Sequence, residues 1–298
     1  MRGPSRLAVI SGGTSGIGLA TAARLAEDGF DLLLLGRNAE RGQRAAAEIS
    51  AKTGVHADFL AHRSEDFEHY PEVAERVGER TVDVLVASAG TGRQQRVVDT
   101  PVQVFEHILR VNVAGPLKLV QTLRDRFSRP GAVVLISSDA AIRGEQAIGA
   151  YSVSKAALNM LGQMLALDLA GEDVRVNVVC PGDTLPGMRY LLPPGASERD
   201  PDDARKWPLP PRGRLGEGRD TAELIAFLVS SRADFIVGAS ILVDGGSRAG
   251  APDRVATPDP TTEGINAEGS REAHARHVTV SRRSKPRETT RPAESGTD

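Results

Sequence analysis

The sequence has little of several features that mark other classes of protein. Its 298 residues include one cysteine, Cys180, so no disulfide can form within the chain. The formal net charge is only −2, which gives no reason to expect nucleic acid or an anionic membrane as a partner. No apolar run approaches the roughly 20 residues of a membrane-spanning helix, and residues 1–10 hold too short an apolar run for a signal peptide. We therefore expect a cytoplasmic protein that binds small molecules.

Histidine is also scarce, with six in the chain. His56, His62 and His69 do not have the spacing of local zinc-ligand pairs, and a single cysteine adds little to them. We expect ordinary buried or exposed histidines and no metal site.

Short β-branched or leucine-rich runs alternate along the chain with longer, Ala- and Leu-rich segments of helical periodicity. This alternation predicts an α/β protein with a single Rossmann-type, doubly wound parallel sheet and helices on both faces. The predicted strands are residues 7–10, 31–35, 55–60, 82–87, 132–137, 175–179 and 241–243. The predicted helices are residues 17–28, 39–50, 65–76, 102–127, 151–170 and 221–230.

The composition changes at Gly250. Pro, Thr, Ser, Glu and Arg dominate from there, and no aromatic residue follows Phe235. Such a segment cannot bury enough apolar surface to offset the entropy of ordering it. We therefore predict one folded domain over residues 1–249 and a disordered tail over 250–298. The small basic cluster within 282–287 is interpreted as part of a solvated tail.

A glycine-rich turn, residues 11–18 with the sequence SGGTSGIG, joins the first predicted strand to the first helix. Glycines at such a turn let the backbone approach a pyrophosphate, and the helix N-terminus offers unpaired N–H groups to it. An ordinary strand–helix loop is the alternative, but the strand before and the helix after are the context that dinucleotide binding requires. The candidate cofactor-binding residues in this turn are Gly12, Thr14, Ser15, Gly16, Ile17 and Gly18.

The second predicted strand ends in Gly36, Arg37 and Asn38. In a dinucleotide-binding sheet, an acidic residue at this place binds the ribose 2′-hydroxyl of NAD. No carboxylate stands here, and the planar guanidinium of Arg37 suits bidentate binding of a 2′-phosphate. An exposed arginine at the start of a loop is the alternative. The pattern favours NADPH over NADH as the cofactor.

Tyr151 and Lys155 stand four residues apart at the start of a predicted helix, a spacing that places both on one face. An ammonium beside a phenol favours the phenolate and lowers the tyrosine pKa from about 10 toward working pH. Most such pairs are surface neighbours, so the pair alone is weak evidence for catalysis.

Together with other motifs, these residues resemble the short-chain dehydrogenase/reductase family over Arg6–Gly246. The other matches are Asn112 in VNVAG, Ser138 thirteen residues before the tyrosine, Cys180-Pro181-Gly182 after the sixth strand, and Val243-Asp244-Gly245-Gly246. The resemblance implies a catalytic tetrad of Asn112, Ser138, Tyr151 and Lys155. It also implies cofactor contacts at Asn112, Tyr151, Lys155, Asp58, Ala89, Gly90, Pro181, Gly182 and Thr184.

The resemblance implies a role for each member of the tetrad. Ser138 would hydrogen-bond the substrate oxygen, and Tyr151 would protonate it as hydride arrives from the nicotinamide. Lys155 would lower the tyrosine pKa and hold the nicotinamide ribose. Asn112 would anchor a water in the proton relay, or it would only bond the helix backbone at a kink.

Two stretches depart from the family's pattern. Residues 87–90 read Ala-Ser-Ala-Gly where the family commonly has Asn-Asn-Ala-Gly, so some of the side-chain bonds that brace the sheet are expected to be lost. The acidic residue that contacts adenine after the third strand is either Asp58 or replaced by a shifted pair, Ala61-His62.

The insertion at 183–214 is expected to cover the active site, as a lid over an apolar or ring-containing carbonyl compound or as a loop packed on the core. Glu145, Gln146 and Ile148, with Arg93 and Gln94, are candidates to line the same pocket. The leading hypothesis is a ketone reductase acting on a free or acyl-bound β-keto compound. The alternatives are an alcohol or polyol dehydrogenase and a non-catalytic NADPH sensor. The resemblance further implies a homodimer or homotetramer built on segments 102–127, 151–170 and 241–243.

Overall fold

The computed structural model describes residues 5–185 and 209–249. The chain divides into two units, Met1–Ala251 and Pro252–Asp298, and every described residue belongs to the first unit. The predictions for the tail 250–298 and for most of the insertion 183–214 concern residues outside the described ranges.

The strands confirm the predicted sheet. They are β1 (Leu7–Ser11), β2 (Asp31–Gly36), β3 (Ala57–Ala61), β4 (Val82–Ala87), β5 (Phe127–Ile136), β6 (Val174–Pro181), β7 (Thr184–Leu185), β8 (Gly216–Glu217) and β9 (Ser240–Val243). Seven of them form one parallel sheet in the order β3-β2-β1-β4-β5-β6-β9, and β7 pairs with β8 separately. The chain winds outward in opposite directions from β1. The ends of β1 and β4 therefore form the topological switch point at which such sheets bind ligands.

Helices cover both faces of the sheet. They are α1 (Gly16–Glu27), α2 (Ala39–Thr53), α3 (Tyr70–Val77), α4 (Val102–Leu109), α5 (Gly115–Leu123), α6 (Gly149–Leu169) and α7 (Gly218–Leu228). None of the helices within 5–185 and 209–249 combines the length and the apolar character that crossing a membrane requires.

Strand β1 shows how one run of residues supplies two cores. Ala8 and Ile10 are fully buried in the core cluster that contains residues of α1, α2 and α7. Leu7 and Val9 point the opposite way, into the cluster formed with α3, α5 and α6. Successive strand residues face opposite sides, so a strand covered on both faces is apolar throughout.

The predicted helix 102–127 is wrong in its length and its continuity. It ends as α4 at Leu109, passes through a π-helical turn at Arg110–Ala114, and resumes as α5. Phe127 starts β5 instead of ending a helix, because it pairs with Val82. The register of β5 against β4 shifts between Val82 and Val84, so residues 128–131, which contain a proline and a glycine, form an irregular part of a strand.

Several other boundaries differ from the sequence prediction by a few residues. The helix expected over 65–76 begins only at Tyr70, after a short 3₁₀ turn at Phe67–His69. Pro71 lies in its first turn, where the missing N–H removes no helical hydrogen bond. The third strand begins two residues later than predicted and extends to Ala61.

Candidate active site

The glycine-rich turn lies directly against the loop that follows β4. Gly12 has φ +68°, and a Cβ there would lie 2.8 Å from the backbone nitrogen of Ala89. A Cβ on Gly18 would lie 2.3 Å from the carbonyl oxygen of Gly12. Only glycine fits either position, so the turn is compact at the switch point of the sheet.

The N-terminus of α1 is open toward the edge of the sheet at which the parallel strands end, which is called the ligand edge below. A Cβ on Gly16 would meet no described atom within 4 Å. Ser15 is the N-cap residue, it is exposed, and its side chain makes no capping hydrogen bond within the described chain. The first turn of α1 carries no acidic residue. Its free N–H groups and the positive end of the helix dipole are therefore available to an anion such as a pyrophosphate.

Strand β2 delivers Arg37 to the same edge. Gly36 packs on the buried Thr14, because a Cβ at Gly36 would lie 2.8 Å from the threonine side chain. Arg37 follows immediately and is exposed. Asn38 caps α2 by accepting a 2.8 Å hydrogen bond from the N–H of Arg41. The guanidinium thus extends from a fixed backbone position.

The structure corrects the expectation for Asp58. This residue pairs with Leu33 in the interior of β3, three residues before the strand ends at Ala61. Its carboxylate lies 2.7 Å from the guanidinium of Arg76, so its charge is used in a surface ion pair away from the ligand edge.

The shifted pair Ala61-His62 occupies the strand end instead. The His62 N–H donates to the Gly36 carbonyl at 2.9 Å, and its ring meets Tyr70 edge-on with 4.5 Å between ring centroids. Burial lowers the pKa of His62, and its Nε2 finds no hydrogen-bond partner among the described residues.

Ser138, Tyr151 and Lys155 converge beyond the end of β5. All three are buried, and Lys155 retains only 3% of its exposed area. The Lys155 ammonium donates to the carbonyl of Ile136 at 2.8 Å and lies 5.6 Å from the centroid of the Tyr151 ring. The Ser138 hydroxyl lies near enough to the Tyr151 phenol to lower its pKa. Residues from two separate sequence motifs, Ser138 and the pair Tyr151 and Lys155, therefore form one buried cluster.

Burial controls the acid–base properties of this cluster. It lowers the pKa of Lys155 to about 8, since an ammonium loses hydration there. It also raises the pKa of Tyr151, and the nearby Ser138 hydroxyl only partly offsets this rise. Desolvation therefore sets the direction of the Tyr151 pKa shift, opposite to the lowering that the sequence led us to expect from Lys155. At neutral pH Tyr151 is a protonated phenol that can donate a proton.

Asn112 is completely buried in the π-helical turn. Its amide nitrogen donates to the Thr91 carbonyl at 2.8 Å and to the Ser154 hydroxyl at 2.9 Å, and its oxygen accepts the Thr91 N–H at 2.8 Å. These bonds fasten the loop after β4 to α6. The partners of the Asn112 side chain are thus a loop backbone and a serine on α6, and not the backbone of its own helix.

The loop after β4 lacks the asparagines that the resembled family commonly has at residues 87–90, and hydrogen bonds to Ser11 hold it in place instead. The Ser88 N–H donates to the Ser11 carbonyl at 3.1 Å, and the Ala89 N–H donates to the Ser11 hydroxyl at 3.3 Å. A Cβ on Gly90 would lie 3.5 Å from both Asn112 Oδ1 and Lys155 Nζ. This loop therefore joins the glycine-rich turn to the buried cluster.

The segment after β6 completes the edge. Pro181 ends the strand, and a Cβ on Gly182 would lie 2.9 Å from the backbone of Asp244. The Thr184 hydroxyl donates to the Gly182 carbonyl at 2.9 Å. The sequence-predicted residues at 181, 182 and 184 thus sit beside the loop that follows β9.

A charged group beside Ser138 was missed by the sequence reasoning. Asp139 accepts a 3.2 Å hydrogen bond from Ser138 through Oδ1, and its Oδ2 lies 3.1 Å from Nε of Arg248. Arg248 also pairs with Glu145. The position of Asp139 after the catalytic-type serine was a usable signal, but nothing in the sequence linked Arg248, over a hundred residues later, to it.

No group of three or more His, Cys, Asp or Glu side chains within the described ranges is arranged to hold a metal ion. The chemistry of this edge is that of a phenol, an ammonium, hydroxyls and backbone N–H groups.

Comparison with known proteins places these features in a family. A family described as "Enoyl-(Acyl carrier protein) reductase" matches residues 12–248. The human protein "Dehydrogenase/reductase SDR family member 2, mitochondrial" is 37% identical over 246 residues, covering 81% of this chain and 86% of the relative. "NADP-dependent (R)-specific alcohol dehydrogenase" of Lentilactobacillus kefiri is 30% identical over 255 residues, covering 81% and 96%. The solved structure of L-sorbose reductase from Gluconobacter frateurii, complexed with NADPH and L-sorbose, has a TM-score of 0.74 at 28% identity, covering 82% and 96%.

Proposed function

Because the chain belongs to the short-chain dehydrogenase/reductase family, we propose that it is an NADPH-dependent oxidoreductase that reduces a ketone to a secondary alcohol, with Tyr151 as the proton donor. The observation that carries the proposal is the buried convergence of Ser138, Tyr151 and Lys155 next to the glycine-rich turn. A phenol kept protonated by burial is a suitable general acid for an alkoxide that forms beside it.

The residues of the edge fit a dinucleotide. The closely packed glycines allow a pyrophosphate to approach the backbone, and the open start of α1 supplies N–H donors. Arg37 would bind the 2′-phosphate that distinguishes NADPH from NADH, and Ala61-His62 would lie beside adenine. The NADP dependence named for the Lentilactobacillus relative and the NADPH in the sorbose reductase structure support this cofactor.

Each side chain of the cluster has a defined task in the proposed reaction. When bound, NADPH would supply the hydride that adds to the carbonyl carbon. Ser138 holds the carbonyl oxygen in reach, and Tyr151 transfers its phenolic proton to that oxygen. Lys155 stabilises the phenolate that remains and binds the nicotinamide ribose. Asn112 keeps the loop after β4 against α6, and its π-helical turn is proposed to anchor the water that returns a proton.

The substrate class is proposed as a ketone, including free or acyl-bound β-keto compounds. Oxidation of an alcohol or polyol is the second candidate, and the alcohol dehydrogenase relative supports it. The enoyl reductase description of the family adds an enoyl thioester to the compounds worth testing.

The proposed enzyme is a homo-oligomer. On α6, Val153, Met160, Met164 and Leu167 are between 46% and 71% exposed at helical spacing, which makes an apolar stripe. Strand β9 forms one edge of the sheet and carries the exposed Leu242. These two surfaces are suited to a second copy of the chain.

The test is a screen of ketones, alcohols and an enoyl thioester with both nicotinamides, followed by the absorbance of the reduced cofactor. On a confirmed ketone, Tyr151→Phe keeps the ring and should lower turnover by about 10²–10⁴ with little change in NADPH affinity. Tyr70→Phe is the matched control, because among the described residues the Tyr70 hydroxyl bonds Ser64 and Gly115, and its ring packs in the core on the α3 side. Near-normal turnover of Tyr151→Phe would refute the proposal. NADPH binding without turnover of any compound would favour a sensor.

A further inference from the structure

Ser154 is a fully buried serine near the start of α6, between Tyr151 and Lys155. Its hydroxyl donates its proton to the Tyr151 carbonyl at 2.6 Å, and its oxygen accepts the Asn112 amide N–H at 2.9 Å. A carbonyl can only accept and an amide nitrogen can only donate, so the direction of both hydrogen bonds is fixed. The proposed reaction gives this hydroxyl no task.

Asn112 connects this serine to the loop after β4. Its Oδ1 accepts the Thr91 N–H and its Nδ2 donates to the Thr91 carbonyl, both at 2.8 Å. A flipped amide would face the Thr91 carbonyl with an oxygen and the Thr91 N–H with a donor, so the second Nδ2 proton must point at Ser154. A continuous chain of hydrogen bonds therefore runs from the Thr91 backbone through two side chains to the Tyr151 backbone.

The two ends of this chain belong to the two halves of the candidate site. The loop at one end is braced on Ser11 of the glycine-rich turn, and a Cβ on Gly90 in it would lie 3.5 Å from Lys155 Nζ. The helix at the other end carries Tyr151 and Lys155. The chain of hydrogen bonds therefore sets the distance between the loop beside which a dinucleotide would lie and the proposed proton donor.

We propose that Ser154 is a positioning residue that ties the loop after β4 to the proton-donating helix through Asn112. The inference rests on the proposed function and adds a residue to its machinery. Proton transfer needs donor and acceptor about 3 Å apart, and a displacement of about 1 Å can cost as much as 10²-fold in rate. Loss of the Ser154 hydroxyl leaves one buried Asn112 proton without an acceptor, which the protein relieves by moving the loop or the helix.

Ser152 provides the matched control. It lies two residues earlier on the same helix and is also buried, at 8% exposed, but its hydroxyl has no hydrogen-bond partner among the described residues. Ser154→Ala and Ser152→Ala therefore remove the same atom from the same helix, and only the first breaks the chain of hydrogen bonds. A general effect of losing a buried hydroxyl would appear in both variants.

The first measurement needs no substrate. Hydrogen exchange of the folded, full-length protein is followed at the backbone N–H of Thr91, which the Asn112 side chain accepts. Ser154→Ala should speed this exchange by about tenfold, because the loop is held by one hydrogen bond fewer. Ser152→Ala should leave the exchange unchanged. An exchange rate in Ser154→Ala equal to that of the wild type would overturn the inference.

The second measurement is the single-turnover oxidation of bound NADPH by a confirmed ketone, which separates the chemical step from binding. Ser154→Ala should lower this rate by about tenfold while NADPH affinity changes by less than about twofold. Ser154→Thr should restore the rate, because a threonine hydroxyl on a helix can make the same bond to the preceding turn. In the Asn112→Ala background, Ser154→Ala should cost less than about twofold more, since the chain is already broken.

The outcomes against the inference are specific. They are a single-turnover rate in Ser154→Ala equal to that in Ser152→Ala, a folded Ser154→Thr as slow as Ser154→Ala, or independent effects of Asn112→Ala and Ser154→Ala. If Asn112→Ala does not fold, the alanine and threonine variants at position 154 decide. Exchange at Thr91 does not depend on turnover, whereas the proposed function fails if Tyr151→Phe keeps its turnover, so the two claims fail separately.

Discussion

Replacement of Lys155 by methionine should remove activity yet leave the fold as stable as before, or more stable, at neutral pH. Burial lowers the pKa of this lysine from its ordinary 10.5 to about 8. The difference corresponds to about 3 kcal/mol of folding free energy that is lost in keeping the ammonium charged at pH 7. Methionine removes that cost but leaves the Ile136 carbonyl without its 2.8 Å donor, a loss of about 1–3 kcal/mol.

The pH dependence isolates the free-energy cost of the buried charge, because loss of the hydrogen bond to the Ile136 carbonyl destabilises the variant equally at every pH. Between pH 8 and 10.5 the unfolded chain holds a proton on Lys155 that the folded chain has released. Wild-type stability therefore rises with pH in this window relative to the variant. From pH 7 to pH 10, the wild type should gain about 2–3 kcal/mol on Lys155→Met.

The assay is urea unfolding of both proteins at pH 7 and pH 10, at one protomer concentration. Lys52→Met is the matched control, because Lys52 is exposed near the end of α2 and should show no pH-dependent difference. A stability difference between wild type and Lys155→Met that is the same at both pH values would refute the reasoning that the fold lowers the pKa of Lys155.

Three further outcomes are expected. Fluorescence titration should show NADPH bound at least tenfold more tightly than NADH, and Arg37→Gln should remove the difference, since one bidentate phosphate contact is worth about 1.5–3 kcal/mol; equal affinities in the wild type would contradict the role of Arg37. Truncation after Ala249 should leave the melting temperature and NADPH binding nearly unchanged, because the composition of 250–298 cannot supply a core; a clear loss would show that the tail contributes. Light scattering should give a dimer or tetramer that Met164→Glu weakens; a wild-type monomer would exclude the proposed surfaces.

The order of elements and the glycine-rich turn followed from the sequence, for local reasons. Leu7–Ser11 is apolar at nearly every position because both faces of β1 are covered, and this pattern is visible without a structure. The glycines at 12 and 18 are required by close backbone approach, and the spacing of Tyr151 and Lys155 is fixed by helix geometry. Properties set within about twenty residues are the ones a single sequence reveals.

Tertiary structure decided what depends on distant partners. Phe127 is a strand residue because Val82 lies opposite it. The Asp58 carboxylate forms an ion pair with Arg76 and does not lie at the ligand edge. The pKa of Tyr151 is raised and not lowered, because the fold buries the phenol and loss of hydration favours its neutral form. Arg248 reaches Asp139 although the two residues lie far apart in the chain. Asp139 follows β5 and Arg248 follows β9, and β6 lies between these two strands in the sheet, so their ends come close together.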